Sequence, residues 1–496
     1  MALLTPGTPL GAGLTELAEL DADAPFVTCD GESVTRAEMD SLANRLARSY
    51  AELGVDAGDL AVVCLPNGVE FFAACFALWK LGAVPLPLSS RLPARERDAI
   101  IGLSQCSLII GAEESNARSR AHVPAGFRPD ESLSDSPHPP RISPAWKAMT
   151  SGGSTGRPKI IVAGRPGVVE VLRSDVYRVQ DNGCTLVPGP LYHNSPFSSA
   201  MRGAFSGNHV VVLPRFSEMA TLRAIESYGV DFVVFVPTMM IRILRALDGD
   251  DSFDLSSLSS VWHMAAPCPE WLKRAWIDLL GPERLFELYS CTEGQAFTVI
   301  DGVEWLRHPG SVGRAAYGEI KIFDATGVAA ASGEVGEVFL RRPVGDAPTY
   351  RYIGAEVKRL EDWESVGDMG SMDEGGYLYL TTRSADMIIS GGANIYPAEV
   401  EGALLEHPLV ESCAIVGVPD DDMGQIVHAI VHAVEDVRAE DLQQHLDTRL
   451  VRYKVPRSWE FVEDPVLDDA GKVRRSQLAE AASLRHRHSE FGATGE

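Results

Sequence analysis

Short apolar runs and longer amphipathic stretches alternate along most of this chain. Residues 60–64 (LAVVC) form an unbroken apolar run of strand length, and residues 70–81 then follow a helical pattern that Gly82 ends. The alternation recurs. Strands are predicted at 185–187, 209–213, 231–236, 260–264 and 285–288, and helices at 238–247 and 269–280. Strands that alternate with helices predict an α/β fold with mostly parallel sheets flanked by helices.

The pattern changes from about residue 318 to 382. Glycine-punctuated β patterns at 319–323, 337–340 and 377–380 predict a small, mostly antiparallel β subdomain. Past Asp386 it changes again. A helix at 397–405, strands at 413–418 and 427–434, a helix at 439–450 and a strand at 458–462 predict a compact α+β unit. The expected division is a large N-terminal domain, 1–383, and a small C-terminal domain, 384–496. Residues 111–144 carry many Ser, Pro and Arg and read as a surface excursion. The polar, His/Arg-rich end from about Leu484 is expected to fray.

With 496 residues, the chain is too long for one core. Its formal net charge of −25 argues against a nucleic-acid or anionic-membrane partner, and any anionic substrate then needs a local positive site. The eight cysteines are scattered without a CxxC pair, so they suggest neither a zinc site nor a disulfide framework. They read as free thiols in a reducing cytoplasm. No secretory leader and no membrane-spanning segment is expected.

The stretch MTSGGSTGRPK (149–159) carries the first chemistry. Its glycines let backbone N–H groups close around a phosphate, its hydroxyls add donors, and Lys159 supplies charge. It is not a GxxxxGK[ST] loop, because Pro158 precedes the Lys and no Ser or Thr follows it. ELYSCTEG (287–294) puts an aromatic ring, a hydroxyl and a carboxylate at a strand end, where ligands bind in open α/β sheets. WESVGD (363–368) precedes GGYL (375–378) and Arg383. DMIISGGANIYPAEV (386–400), YKVP (453–456) and GKVRR (471–475) follow in order.

This ordered set resembles the adenylate-forming superfamily, the acyl-CoA synthetases and adenylation domains also called ANL enzymes. It spans 149–475, about two-thirds of the chain. The resemblance looks closest to stand-alone ligases for bulky carboxylic acids, of the bile-acid and terpenoid type. It implies that Ser151, Gly152, Gly153, Ser154, Thr155, Gly156 and Lys159 bind phosphate. It further implies that Tyr289 stacks on adenine, Thr292 contacts phosphate and Glu293 holds Mg²⁺, the hard ion that suits a carboxylate. Asp368 would take the ribose hydroxyls and Arg383 would lie near ribose and phosphate. Ser390, Gly391 and Gly392 would border the pantetheine arm of CoA. Lys472 would be the adenylation lysine, and His193, in GPLYHNSPF (189–197), would line the passage from acyl pocket to thiol.

Several positions depart from the family pattern. Ser290 replaces a usual Gly. The hinge position holds Ala385, with Asp386 beside it. The loop PVLDDAGK (465–472) is one residue longer than usual and puts Asp468 and Asp469 near Lys472. The candidate acyl walls are Phe235, Met239, Met264, Ala265, Ala266 and Pro267. No Asp follows the His193 motif where amino-acid-activating domains hold an amino group, which disfavours an amino-acid substrate.

The implied activity joins an acid to CoA through acyl-AMP, with Mg-ATP and CoA as the small-molecule needs. An alternative is a variant that only forms the thioester from acyl-AMP supplied by a partner adenylating enzyme. A homodimer is a further expectation.

Overall fold

The computed structural model describes residues 3–112, 120–151, 158–247, 253–383, 386–420, 422–468 and 471–492. Its largest layer is a nine-stranded sheet. In spatial order the strands are Arg314–Tyr317, Phe297–Asp301, Leu285–Ser290, Ser260–His263, Phe232–Phe235, Cys184–Val187, His209–Val212, Pro25–Cys29 and Glu32–Thr35. The pairs from Leu285–Ser290 through Pro25–Cys29 are parallel, and both edges turn antiparallel. A parallel sheet buries both faces, so its strands are apolar throughout.

A second, parallel sheet has four strands in the order Val84–Pro87, Leu60–Val63, Leu108–Ile110 and Ala121–Val123. Helix Val69–Leu81 touches strands of both sheets. Nearly its whole surface is buried, which a helix apolar on every side requires. Gly82 ends it in the left-handed conformation, φ 74. Its one basic residue, Lys80, is neutralised by Asp40 at 2.7 Å and donates also to Thr15 Oγ1. One ion pair thus ties together helices Leu10–Leu20, Arg36–Glu52 and Val69–Leu81.

Beyond these layers, strands Glu319–Phe323, Gly336–Arg341, Lys358–Leu360, Trp363–Met372 and Leu378–Arg383 make an antiparallel sheet. The C-terminal unit is a three-stranded sheet of Val410–Asp420, Gly424–Ala433 and Ser458–Val462. Helices Pro397–Leu405, Ala439–Asp447 and Arg475–Gly492 accompany it.

Two expectations change. The stretch 111–144 is more than an excursion: Val123 is buried in its strand, and Asp135 holds Arg45 at 2.9 Å. The end past Leu484 stays helical through Gly492, where Arg485 pairs with Glu460 at 2.9 Å. All eight cysteines are free thiols, as the scattered spacing implied.

Candidate active site

The C-terminal end of strand Leu285–Ser290 runs into a tight loop that returns as Phe297–Asp301. Gly294, φ 67, permits the turn. The loop carries Glu293, a carboxylate only 4% exposed. Strand Lys159–Ala163 starts nearby and pairs antiparallel with Tyr350–Ile353. Lys159 Nζ lies 3.0 Å from Glu293 Oε1 and 3.0 Å from Tyr352 Oη, and 4.3 Å above the Tyr352 ring. The Tyr352 hydroxyl donates to the same Oε1. Burial by itself would raise the Glu293 carboxyl. Lys159 and the Tyr352 hydroxyl outweigh it and hold the group below the ordinary glutamate value. Glu293 is therefore a buried anion held in one orientation, with both donors on one oxygen.

A supporting layer fixes this trio. The Tyr350 and Tyr352 rings meet edge to face at 4.8 Å. Tyr350 donates to Glu364 Oε2 at 2.9 Å, and Gln295 Nε2, from the loop of Glu293, donates to the same oxygen at 2.9 Å. Tyr289 donates its hydroxyl to Asp368 Oδ2 at 2.7 Å. Asp368 sits opposite Arg383 in the strand register. Thr292, half-buried, adjoins Glu293 in its loop.

A second cluster forms around His193, the N-cap residue of helix Asn194–Phe205. Burial, then the nearby Lys472 charge, pull its imidazole down to about 4, so it is neutral at physiological pH. Nε2 has no hydrogen-bond partner among the described residues. The C-terminal loop approaches here. Asp468 accepts from the Lys472 backbone N–H at 2.9 Å and donates its own to the Lys472 carbonyl at 2.9 Å, closing a turn that holds the exposed lysine. Gly471, φ 70, packs so closely that an added Cβ would lie 2.7 Å from Thr238 Oγ1 and 3.0 Å from Val236 Cγ2. Arg474 reaches Glu96 at 3.4 Å, and Arg245 donates to the Val410 carbonyl at 2.9 Å. Gly471 thus rests where strand Phe232–Phe235 of the large sheet ends.

The remaining sequence candidates are spread more widely. Phe235 and Met239 belong to the core between the large sheet and its covering helices. Met239 Cε also approaches Gly189. Met264 packs against the opposite sheet face, with Trp262 and Phe286. Ala265 and Pro267 are exposed and Ala266 half-buried. Ala265 holds φ 76, a costly conformation for a residue with a Cβ.

Ser390 is buried, and Gly391-Gly392 (φ 56 and 81) make the two-residue turn of hairpin Ile388–Ser390/Ala393–Ile395. Asp386 pairs with Arg475 at 3.4 Å, which also holds Glu401 and the Ile415 carbonyl. Ser151 ends strand Ala148–Ser151 and Arg383 ends Leu378–Arg383. Gly152, Gly153, Ser154, Thr155, Gly156 and Ala385 lie outside the described residues.

Sequence reasoning missed Tyr352, Tyr350, Gln295 and Glu364. It also missed Lys147, buried just before the Gly-rich stretch. The lone charge in the apolar run AWKAM (145–149) was the one available signal for it.

Comparison with known proteins agrees with this layout. The AMP-binding enzyme model matches residues 14–350, and the AMP-binding enzyme C-terminal domain matches 399–472. A feruloyl-CoA synthase from Amycolatopsis sp is 31% identical over 488 residues, covering 95% of this chain and 98% of the relative. The o-succinylbenzoate CoA synthetase (MenE) of Bacillus subtilis, solved with its acyl-adenylate intermediate OSB-AMP, superimposes with TM-score 0.82 at 25% identity, over 96% of this chain and 98% of that one. The same synthetase with ATP and a magnesium ion gives TM-score 0.79 at 25% identity, over 96% and 100%. This chain belongs to the AMP-binding enzyme family, among the adenylate-forming acid–thiol ligases.

Proposed function

We propose that this chain activates a bulky carboxylic acid as its acyl-adenylate with Mg-ATP and then transfers the acyl group to CoA. The observation that carries the reading is that Glu293, preset as an anion, and the Lys472 loop beside neutral His193 stand at the C-terminal ends of parallel strands of one sheet. The relatives named for feruloyl and o-succinylbenzoate thioesters act, by those names, on ring-bearing acids, which supports a bulky substrate.

In the first step a carboxylate oxygen of the acid forms a bond to the α-phosphorus of ATP. The bond to the bridging oxygen breaks, and pyrophosphate leaves with its electron pair. Lys472, a mobile point charge, would neutralise the carboxylate and α-phosphate as they approach. Lys159 fixes Glu293, and Tyr289 with Asp368 would meet the adenosine. Glu293, kept as an anion with Lys159 and Tyr352 both on its Oε1, is a hard oxygen donor that fits magnesium and would hold the ion. Bound there, magnesium would supply charge neutralisation on the phosphates.

In the second step the CoA sulfur forms a bond to the acyl carbon, and AMP departs with the electron pair of the C–O bond. The thiol enters as its thiolate, its proton lost to water, and neutral His193, whose Nε2 has no hydrogen-bond partner among the described residues, would line its path. Ser390 to Gly392 would border the thiol's path after the C-terminal domain, 384–496, turns relative to 1–383.

The test incubates the protein with Mg-ATP, CoA and a mixture of alicyclic, aromatic and fatty acids and detects acyl-CoA by mass spectrometry. A parallel set supplies preformed acyl-adenylates with CoA alone. Products in both sets are expected. Products from adenylates alone would overturn the first step and favour a partner adenylating enzyme. No product in either set would overturn the ligase reading for these acids.

A further inference from the structure

Lys472 stands on a loop anchored at both ends. Before it, the Val466 N–H donates to Ser412 Oγ at 3.1 Å. After it, Arg475 holds Glu401, the Ile415 carbonyl and, at 3.4 Å, Asp386. Between these anchors Asp468 makes a clip. Its Oδ1 accepts the Lys472 N–H at 2.9 Å, its own N–H donates to the Lys472 carbonyl at 2.9 Å, and its carbonyl accepts the Gly471 N–H at 2.8 Å. Two of these bonds join backbone to backbone, and many residues at 468 could make them. The third needs a short side chain with an acceptor oxygen. Asp and Asn supply one, and Ala does not.

The clip acts on a residue that gains from it. Lys472 is exposed, and its long stem has many rotamers to lose when the ammonium meets a carboxylate and a phosphate. Holding its backbone beforehand removes part of that cost. Gly471, at φ 70 and packed against Thr238, fixes one side of the loop, and Asp468 fixes the Lys472 peptide itself.

The carboxylate of Asp468 also carries a charge. Burial, then Lys472, lower the His193 imidazole, and Asp468 opposes them. The negative charge of Asp468 is therefore felt at the same place as the positive charge of Lys472. There it works against an incoming acid anion and the phosphates of ATP.

We infer that Asp468 is a positioning residue for the adenylation lysine: its side-chain oxygen holds the Lys472 backbone ready for acyl-adenylate formation, and that step needs the acceptor and not the charge. The role in catalysis rests on the acyl-CoA ligase reading above. The clip itself stands on the loop's hydrogen bonds.

The experiment compares Asp468→Asn, which keeps an acceptor oxygen and drops the charge, with Asp468→Ala, which drops both. Asp468 is only partly buried, so either replacement leaves the core intact. Acyl-adenylate formation is followed by pyrophosphate release, and thioester formation by supplying preformed acyl-adenylate with CoA. Amide hydrogen exchange across the Lys472 loop is read by mass spectrometry in the same proteins. Asp468→Ala should lose about tenfold in kcat for acyl-adenylate formation, with KM for acid and ATP at the parent values, and its Lys472 amide should exchange about tenfold faster. Asp468→Asn should match or exceed the parent rate and keep the slow exchange. Thioester formation should stay at the parent rate in both variants, which a general loss of fold would not allow. A full adenylation rate in Asp468→Ala overturns the inference. So does an equal loss in both half-reactions, or an Asp468→Asn enzyme as slow as Asp468→Ala. If the parent forms acyl-adenylate from no acid, the ligase reading falls, and the exchange rates still decide the clip: equal exchange at Lys472 in parent and Asp468→Ala overturns it.

Discussion

Replacing Tyr352 with Phe removes one hydroxyl and keeps the ring that packs 4.8 Å from Tyr350. That hydroxyl donates to Glu293 Oε1, a carboxylate 4% exposed. A hydrogen bond to a charged group contributes about 1.5–3 kcal/mol. Lys159 remains beside Glu293 at 3.0 Å, so the lower end applies, about 1.5 kcal/mol or about tenfold in rate. The direction with pH follows from the balance at Glu293. Burial raises its carboxyl, and Lys159 and Tyr352 lower it by more. Without the hydroxyl, burial weighs more heavily and the group takes up its proton at higher pH. Stability obeys the same linkage. A depressed carboxyl stabilises the fold fully above its unfolded value and stops doing so as pH falls through its folded value. The stability gap between parent and Tyr352→Phe is therefore widest at neutral pH and closes on acidification. The assay is the pH dependence of acyl-adenylate formation, with urea melts at matching pH. The expected result is an acid limb displaced to higher pH and about a tenfold loss on that limb. A limb that stays in place, with a uniform loss at every pH, would refute the reasoning and put the hydroxyl on the nucleotide instead.

Lys472→Ala should abolish ATP-dependent ligation while still passing preformed acyl-adenylate to CoA; full ATP-dependent activity would sink the role given to Lys472. The same variant removes a charge that depresses His193, so its imidazole should titrate above about 4 in an NMR experiment, though burial keeps it below the ordinary histidine value. Gly471→Ala forces a Cβ into φ 70 and within 2.7 Å of Thr238 Oγ1. At about 1–2 kcal/mol of backbone strain, acyl-adenylate formation should fall about tenfold or more, and equal loss of thioester formation from supplied adenylate would contradict this.

Local pattern carried much of the secondary structure. Helix 70–81 and strand 60–64 were legible because apolar residues and a terminal glycine write their own boundaries, and they appear as Val69–Leu81 and Leu60–Val63. Helix Asn194–Phe205 was not, because its first turn is spelled Asn-Ser-Pro, as a loop would be. Of the candidate site, sequence motifs nominate Glu293, Asp368 and Lys472. Their supports were not legible. Tyr352 is 59 residues from Glu293 and 193 from Lys159, so only the strand pairing joins them. The candidate acyl walls Phe235 and Met264 each lie at the end of a strand. Strand alternation then sends Phe235 and Met264 to opposite sheet faces.

Several of the chain's cations are spent inside. Lys80 and Lys273 sit in buried ion pairs, and Lys147 is buried without one among the described residues. Each pair cancels its own carboxylate, so the formal net charge of −25 stands for the rest of the chain. ATP and CoA approach against that field, towards Lys472 and Arg474 beside His193. Added salt screens the long-range repulsion within about 10 Å at moderate ionic strength. For this enzyme, raising ionic strength should speed the capture of its anionic substrates, opposite to the slowing seen when opposite charges steer an encounter.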